Sequence, residues 1–142
     1  MKRFINWLFR MEEINGHEVC PTYMYRWTLL KFGSYGLYLH HFVADDWSRD
    51  LHDHPKRFVS LGLKGRYIEE TPNGEKEFRA PWLRSFPAEH IHRIRLHPGE
   101  DCWTLVVVLK NVRKWGFWNK GNWIPWRTYV GSTTANERKT CP

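Results

Sequence analysis

Two His-x-His pairs are the residues of this chain whose types and spacing most clearly suggest chemistry. His52 and His54 form one pair and His90 and His92 form the other, which accounts for four of the eight histidines. Alternate residues of a strand point to the same face, so each pair can direct two imidazoles toward one point. Neutral imidazole binds divalent transition metals, and three nitrogens leave coordination positions open. The pairs therefore predict a metal site, although a single His-x-His is also common in solvated turns.

The segments around these pairs predict an all-β domain. Short runs rich in aromatic and β-branched residues alternate with turn signals such as Thr71-Pro72-Asn73-Gly74, which is typical of a sandwich or barrel. A tight turn is expected at Lys64-Gly65. The predicted strands are 23–30, 37–43, 58–63, 66–69, 77–80, 83–86, 92–96, 103–110 and 127–130.

The two ends of the chain are expected to differ from this barrel. Apolar residues in segment 2–13 have the spacing of a short amphipathic helix that packs on the body. The polar segment 132–142 predicts a flexible tail. We therefore expect one domain over residues 1–131, since 142 residues is the size of a single domain.

Composition excludes several classes of protein. Hydrophobic residues make up 42% of the chain, enough for a core, and no apolar run is long enough to cross a bilayer. Asn6 and Arg10 interrupt the first apolar stretch, which is unlike a signal peptide and predicts a cytoplasmic location. The three cysteines are odd in number and far apart, which argues against a disulfide framework or a zinc knuckle.

The net charge of +7 leaves two kinds of partner open. The basic residues are spread along the chain without a dense block, so a small anionic substrate fits the charge as well as a nucleic acid does. The aromatic stretch from Trp115 to Tyr129 could stack on bases. We favour the alternative that it covers the barrel or forms a homodimer interface, which makes nucleic-acid binding the weaker hypothesis.

The two histidine pairs lie in segments that resemble the two motifs of the cupin superfamily. In the first motif His-x-His is followed at a set spacing by Glu and then Gly, and His52 to Phe58 followed by Gly65 resembles it. The second motif is Pro-x-Gly-x-x-His, which segment 87–92 resembles. About 30 residues separate the two segments. The resemblance implies a small jelly-roll barrel, a double-stranded β-helix.

The resemblance also implies a ligand set. Its metal ligands fall on His52, His54 and His92, while the motif's Glu falls on Phe58 and its Gly falls on Glu89. Without the carboxylate, the implied site is a three-histidine centre similar to that of the thiol dioxygenases. Iron(II) is then the favoured ion, with zinc, manganese or nickel as alternatives, and His90 is a further candidate ligand.

A closer resemblance covers about residues 37–130. The succession of Tyr38-Leu39-His40, the segment 51–55 and Trp115-Gly116-Phe117-Trp118 is similar to a group of small uncharacterised cupin-like proteins of bacteria and their phages. It supports the fold more than a function. It also implies the host cytoplasm as the location if the chain is phage-encoded.

Other residues are candidates for catalysis and substrate binding. His40 and His41 must point to opposite faces of their strand, and His40 is the candidate to enter the barrel as a general base or an additional donor. Asp53 has the opposite parity to the ligands and is expected to cap a turn. Tyr67 is the second catalytic candidate. The candidate substrate-binding residues are Arg57, Arg66 and Trp103.

These expectations lead to one favoured function and two alternatives. A three-histidine iron site suits a dioxygenase acting on a small polar or anionic substrate, whereas zinc or manganese would suit isomerisation or hydrolysis. The first alternative is a non-catalytic cupin module that captures a small ligand, a sugar or nucleotide, or a host partner. The second is a nucleic-acid binder.

Overall fold

The computed structural model describes residues 10–14, 22–46 and 50–132. Within these residues the chain forms eleven strands and one short helix, which confirms the predicted all-β class. None of the described residues belongs to a helix long and apolar enough to cross a membrane. The elements are β1 (Met11–Ile14), β2 (Met24–Phe32), β3 (Tyr35–Phe42), β4 (Leu51–His52), β5 (Lys56–Thr71), β6 (Gly74–Arg79), β7 (Trp82–Phe86), β8 (Arg93–Arg95), β9 (Cys102–Asn111), β10 (Gly116–Asn119), β11 (Asn122–Pro125) and α1 (Trp126–Ser132).

The strands form two antiparallel sheets. The larger sheet has the order β1-β2-β3-β9-β5-β6, and β7 and β8 also pair with β5. The smaller sheet has the order β11-β10-β4. The long strand β5 is central because its first half pairs with β9 and β7, and its second half pairs with β6 and β8. It thereby connects the elements that carry the two motif segments.

Strand β5 replaces a predicted turn. The sequence led us to expect two strands separated by a turn at Lys64-Gly65, but the structure continues through this point with a shift of register between Gly62 and Lys64. Gly65 has a φ of 85° and lies opposite Cys102 of β9. A β-bulge of this kind bends a strand without ending it. Gly65, the glycine of the motif, therefore allows a bend within one strand and does not form a turn between two strands.

The predicted N-terminal helix is wrong where the structure tests it. Residues 11–13 belong to β1, in which Met11 pairs with Trp27 and Ile14 with Met24. Exposed and half-buried residues alternate along β1, and pairing with an open sheet edge prevails over the helical spacing of apolar residues. Segment 2–9 lies outside the described residues.

The predicted last strand is also wrong, because residues 127–130 lie in α1. Pairing of β11 ends at Pro125, opposite Gly116, and proline has no amide hydrogen with which to continue a ladder. The predicted tail begins at Ser132, which ends α1, and the remainder of that segment lies outside the described residues.

The core is a cluster of buried residues on four strands of the larger sheet. It contains Met24, Phe42, Tyr67 and Cys102, and Cys102 is completely inaccessible to solvent. Cys102 is a free thiol, and burial together with the charge of Asp101 raises its pKa to about 12. This cysteine is therefore an inert packing residue.

Substitution of Gly65 by alanine tests the bend in β5. A Cβ at this position would lie 2.1 Å from the carbonyl oxygen of Asp101, in addition to the strain of the positive φ. Gly99 is a matched control, because its φ is 75° and nothing lies within 4 Å of its Cβ position. We expect Gly99→Ala to cost about 1 kcal/mol and Gly65→Ala about 3 kcal/mol or more in urea unfolding. Equal losses would contradict the role of close packing at Gly65.

Candidate metal centre

The main chain brings the two motif segments together. His52 and His92 exchange two backbone hydrogen bonds, each of 2.9 Å, across an antiparallel bridge. The amide of His54 donates to the carbonyl oxygen of Ala88 at 3.0 Å. The three predicted ligands are thus placed by backbone pairing before any side chain contact is considered.

The three imidazoles meet on one side of this bridge. One nitrogen of each of His52, His54 and His92 lies within 4.8 Å of the other two. The Nε2 atoms of His54 and His92 are 3.0 Å apart. Two nitrogens at about 2.1 Å from a shared ion, and about 90° apart around it, are separated by about 3 Å. The spacing therefore fits a divalent transition metal.

The protonation states also fit a metal. Burial lowers the pKa of His52 well below its ordinary value, and the nearby imidazoles of His92 and His90 lower it further. Burial has the same effect on the pKa of His54, reinforced first by His52. Both rings are neutral at neutral pH, so their lone pairs are available to a cation.

Glu69 orients the third imidazole. Nδ1 of His92 donates to Oε1 of Glu69 at 2.8 Å, which leaves Nε2 directed at the other two rings. His90 donates to the same oxygen at 2.8 Å, and Arg84 donates to Oε2 at 2.7 Å. Metal-binding histidines commonly have such a carboxylate on the second nitrogen. Sequence reasoning missed Glu69, although it has the strand parity of Tyr67, because a carboxylate is normally expected on an outer face.

The hydrogen bonds of Glu69 keep it ionised. Burial alone would raise the pKa of this carboxyl group, which is only 3% exposed. The hydrogen bonds from His90, His92 and Arg84 outweigh burial and hold the pKa of Glu69 below its ordinary value. Glu69, His90 and His92 could themselves hold a cation. The guanidinium of Arg84 at 2.7 Å opposes that arrangement, so His90 is better described as a partner of Glu69.

Phe58 takes the place of the motif's carboxylate. Its ring stacks on Phe86 with a centroid distance of 4.6 Å and meets the ring of His54 edge-on at 4.8 Å. The residue that would ligate a metal in the motif is therefore an apolar wall beside the imidazoles. On the other side, Oδ2 of Asp46 lies 3.9 Å from Nδ1 of His52, beyond hydrogen-bond distance.

Asp53 lies between the two ligands in sequence and points away from them, as its strand parity predicted. It does not cap a turn, which corrects the second part of that expectation. Its carboxylate, 1% exposed, accepts hydrogen bonds from the amide of Gly116 at 2.8 Å and from Trp123 Nε1 at 3.0 Å. It also accepts from Trp118 Nε1 at 3.3 Å and pairs with Arg113 at 2.7 Å. Asp53 therefore holds the β10–β11 hairpin against β4.

This hairpin explains the aromatic stretch of the sequence. Trp115 stacks on Trp126 with a centroid distance of 5.6 Å, and Phe117 stacks on Tyr129 at 4.0 Å. Phe117 also pairs with His52 through the strand ladder. The aromatic rings pack on one another, and the rings of Trp115 and Phe117 also lie beside that of His52.

The imidazoles open into a cavity of about 430 Å³, within the range of small-molecule sites. It contains both candidate catalytic residues. His40 accepts a hydrogen bond from Arg26 Nε at 3.3 Å, and burial together with the Arg26 charge lowers its pKa to about 3. The hydroxyl of Tyr67 accepts from Arg84 at 2.6 Å, and burial raises its pKa above the ordinary value. Neutral His40 and protonated Tyr67 are the resting states, and their catalytic roles stay predictions.

The candidate substrate-binding residues are not brought to this cavity. Arg57 is exposed, and Arg66 donates to Glu100 at 2.7 and 2.8 Å. Trp103 stacks at 4.0 Å on His41, which faces away from His40 on the outer side of the sheet. In an antiparallel sheet, neighbouring residues of one strand face opposite sides, and these positions have the outer parity.

Comparison with known proteins bears on the fold. No protein-family model matches the sequence, and no curated protein matches it significantly. Among solved structures, a cupin-2 domain protein from Rhodospirillum rubrum is similar with a TM-score of 0.62 and 18% identity, covering 78% of this chain and 76% of that one. The polyketide cyclase RemF from Streptomyces resistomycificus has a TM-score of 0.60 and 14% identity over 91% of this chain and 90% of that one.

A third similar structure is that of an iron(II) protein. The iron(II) form of HppE has a TM-score of 0.54 and 11% identity, covering 70% of this chain and 57% of that one. With identities this low, the likeness concerns the fold. The protein has a cupin-type fold, and within it the histidines form a candidate metal centre.

Substitution of Glu69 by glutamine tests the support of His92. Glutamine keeps the shape but replaces one accepting oxygen with an amide donor and removes the charge, so the His92 ring loses its fixed orientation. We expect the affinity for zinc(II), measured by competition with a chelating dye, to fall about 10- to 100-fold. Glu70→Gln is the matched control, because Glu70 pairs with Arg93 and Arg95 instead. Wild-type affinity in Glu69→Gln would contradict this role.

Substitution of Asp53 by alanine tests the anchor of the aromatic hairpin. The change leaves Arg113 and two indole donors without their acceptor, so we expect a loss of about 3 kcal/mol or more in urea unfolding. Asp101→Ala is the comparison, because the Asp101 side chain is 41% exposed in its pairing with Lys64 and His41. We expect that change to cost about 1 kcal/mol or less. Similar losses in the two variants would argue against Asp53 as an anchor.

Proposed function

We propose that this protein is a metal-dependent enzyme of dioxygenase type that acts on a small polar molecule in the barrel cavity. The observation that carries the proposal is the convergence of three imidazoles, of which His52 and His54 have strongly lowered pKa values and His92 is oriented by Glu69. This arrangement is better explained by a bound cation than by packing alone, because the three buried polar rings cannot all form hydrogen bonds with one another.

The ion we propose is iron(II). His52, His54 and His92 would hold it, and three neutral protein ligands would leave coordination positions at which oxygen and substrate could meet. The likeness to a fold that binds iron(II) in HppE supports this choice. Phe58 supports it as well, because the chain supplies no carboxylate at the fourth position of the motif.

The residues around the imidazoles have separate tasks in this proposal. Phe58 and Phe86 form a stacked apolar wall that excludes water from the side of His54. Tyr67 keeps its proton and can donate a hydrogen bond into the cavity, while its oxygen is held by Arg84. His40 has its Nε2 lone pair bound to Arg26, which places its proton on Nδ1. Both residues can therefore orient a polar substrate.

Metal analysis of the purified protein is the primary test. We expect about one iron per chain by inductively coupled plasma mass spectrometry, and loss of that metal in His52→Ala and in His54→Ala. His41→Ala is the control, because His41 lies on the outer face of the sheet and bonds to Asp101. Protein that contains no metal after reconstitution with iron(II), or variants with unchanged metal content, would overturn the proposal. Zinc at full occupancy, without oxygen uptake by iron-loaded protein, would overturn only the dioxygenase part.

A non-catalytic binding module is the second candidate, and Phe58 favours it too, because loss of a ligand is one route to a barrel without catalysis. Stoichiometric capture of a ligand without turnover by metal-loaded protein would distinguish it.

A homodimer, a cytoplasmic location and the closer relation to bacterial and phage proteins stay predictions. Nucleic-acid binding stays the weaker hypothesis, and the packing of the aromatic rings on one another gives it no support.

A further inference from the structure

The cavity has a second polar region besides the imidazoles. Two cationic side chains, Arg26 of β2 and Lys56 of β5, line the same space as the metal centre. Neither side chain takes part in an ion pair among the described residues, where most other arginines of the barrel are paired with carboxylates. A cation in a partly desolvated site without a carboxylate is costly, which makes it a candidate for ligand binding.

Arg26 is held in place by neutral groups. Its Nε donates to Nε2 of His40 at 3.3 Å, and its guanidinium carbon lies 5.3 Å from the centre of the Tyr38 ring. The described residues offer no acceptor to its two Nη groups. These groups form the end of the planar fork that binds an oxyanion through two parallel hydrogen bonds.

Lys56 adds a second positive charge near the first. Its Nζ donates to the carbonyl oxygen of Ser34 at 2.6 Å, which fixes the ammonium group at the turn between β2 and β3. Lys56 and Arg26 both line the cavity, and neither has a carboxylate partner among the described residues. Two unpaired positive charges give this part of the wall a positive potential.

The remaining charges of the cavity do not cancel this potential. Asp46 is the one acidic side chain among the described residues that line the cavity, and it lies beside His52. Its Oδ2 atom accepts a hydrogen bond from the amide of Ile94 at 2.8 Å, so the main chain already partners this carboxylate. A divalent ion on the imidazoles would make the cavity more positive still.

We propose that Arg26 and Lys56 form an oxyanion subsite, so that the ligand of the cavity is a small organic anion with a carboxylate or phosphate group. Only the role of this anion as a substrate rests on the proposed metal-dependent function. A volume of about 430 Å³ is within the range of sites for metabolite-sized molecules. The anion would be held at the cationic wall, with its uncharged part directed toward Phe58 and the imidazoles.

Titration of metal-free wild-type protein with inorganic phosphate, with malonate and with neutral malonamide tests this subsite. Isothermal titration calorimetry at low ionic strength should give binding of at least one of the two anions and none of malonamide. A preference between phosphate and malonate tells which oxyanion the subsite is built for. We expect Arg26→Gln and Lys56→Gln each to weaken anion binding roughly tenfold or more.

Arg57→Gln is the matched control, since Arg57 adjoins Lys56 in sequence but is exposed and does not line the cavity. Anion binding should be unchanged in this variant. Equal weakening in Arg57→Gln, equal binding of malonamide, or no anion binding by wild-type protein would overturn the subsite. If Arg26→Gln does not fold, as judged by circular dichroism, Lys56→Gln and Arg26→Lys decide the matter, and unchanged affinity in both overturns it.

The use of metal-free protein separates this inference from the proposed function. Anion binding by a protein that never takes up a metal would leave the subsite standing and remove the metal-dependent enzyme. A protein that holds iron but binds neither anion would leave the metal centre standing and remove the subsite.

Discussion

The buried carboxylate of Glu69 is the interaction on which the candidate site depends. It joins β5 to β7 through Arg84 and to the segment before β8 through His90 and His92. Burial of an ion costs several kcal/mol unless hydrogen bonds compensate it, and here three charged or polar donors share two oxygens. The bonds that keep Glu69 ionised also fix the His92 ring, so the same atoms stabilise the barrel and orient a candidate metal ligand.

Alternate residues of segment 52–54, at the end of β4, likewise have different roles. His52 and His54 face the cavity, while Asp53 faces the opposite side and binds the β10–β11 hairpin. The hairpin in turn pairs with His52 through Phe117 and places Trp115 beside the cavity. One segment of chain thus connects the imidazoles on one side to an aromatic layer on the other, which gives the Trp-rich stretch a structural role.

The sequence permits prediction of the ligands better than of their supports. The spacing of His52 and His54 is local and needs no knowledge of the fold, whereas His92 was named as the third ligand through the resemblance to the cupin motifs. The opposite orientation of His40 and His41 follows from strand alternation, and the structure confirms it. Glu69 was missed although it shares the strand parity of Tyr67, because a carboxylate is normally expected on an outer, solvated face. The arginines near the motifs in sequence, Arg57 and Arg66, do not line the cavity. Arg26 lines it from a strand far away along the chain, since strand pairing and not sequence proximity determines the neighbours.

The absence of a motif carboxylate and the presence of cavity cations act in the same electrostatic direction. A Glu at position 58 would partly neutralise a bound divalent ion and would repel an incoming anion, whereas Phe58 leaves the full charge of such an ion within the cavity. Arg26 and Lys56 then extend the positive region away from the imidazoles. In a low-dielectric cavity these charges would oppose one another, and a bound anion would relieve the repulsion between metal and wall. The missing carboxylate at position 58 and the two cationic side chains therefore have one common explanation, which is a cavity that binds a negatively charged molecule.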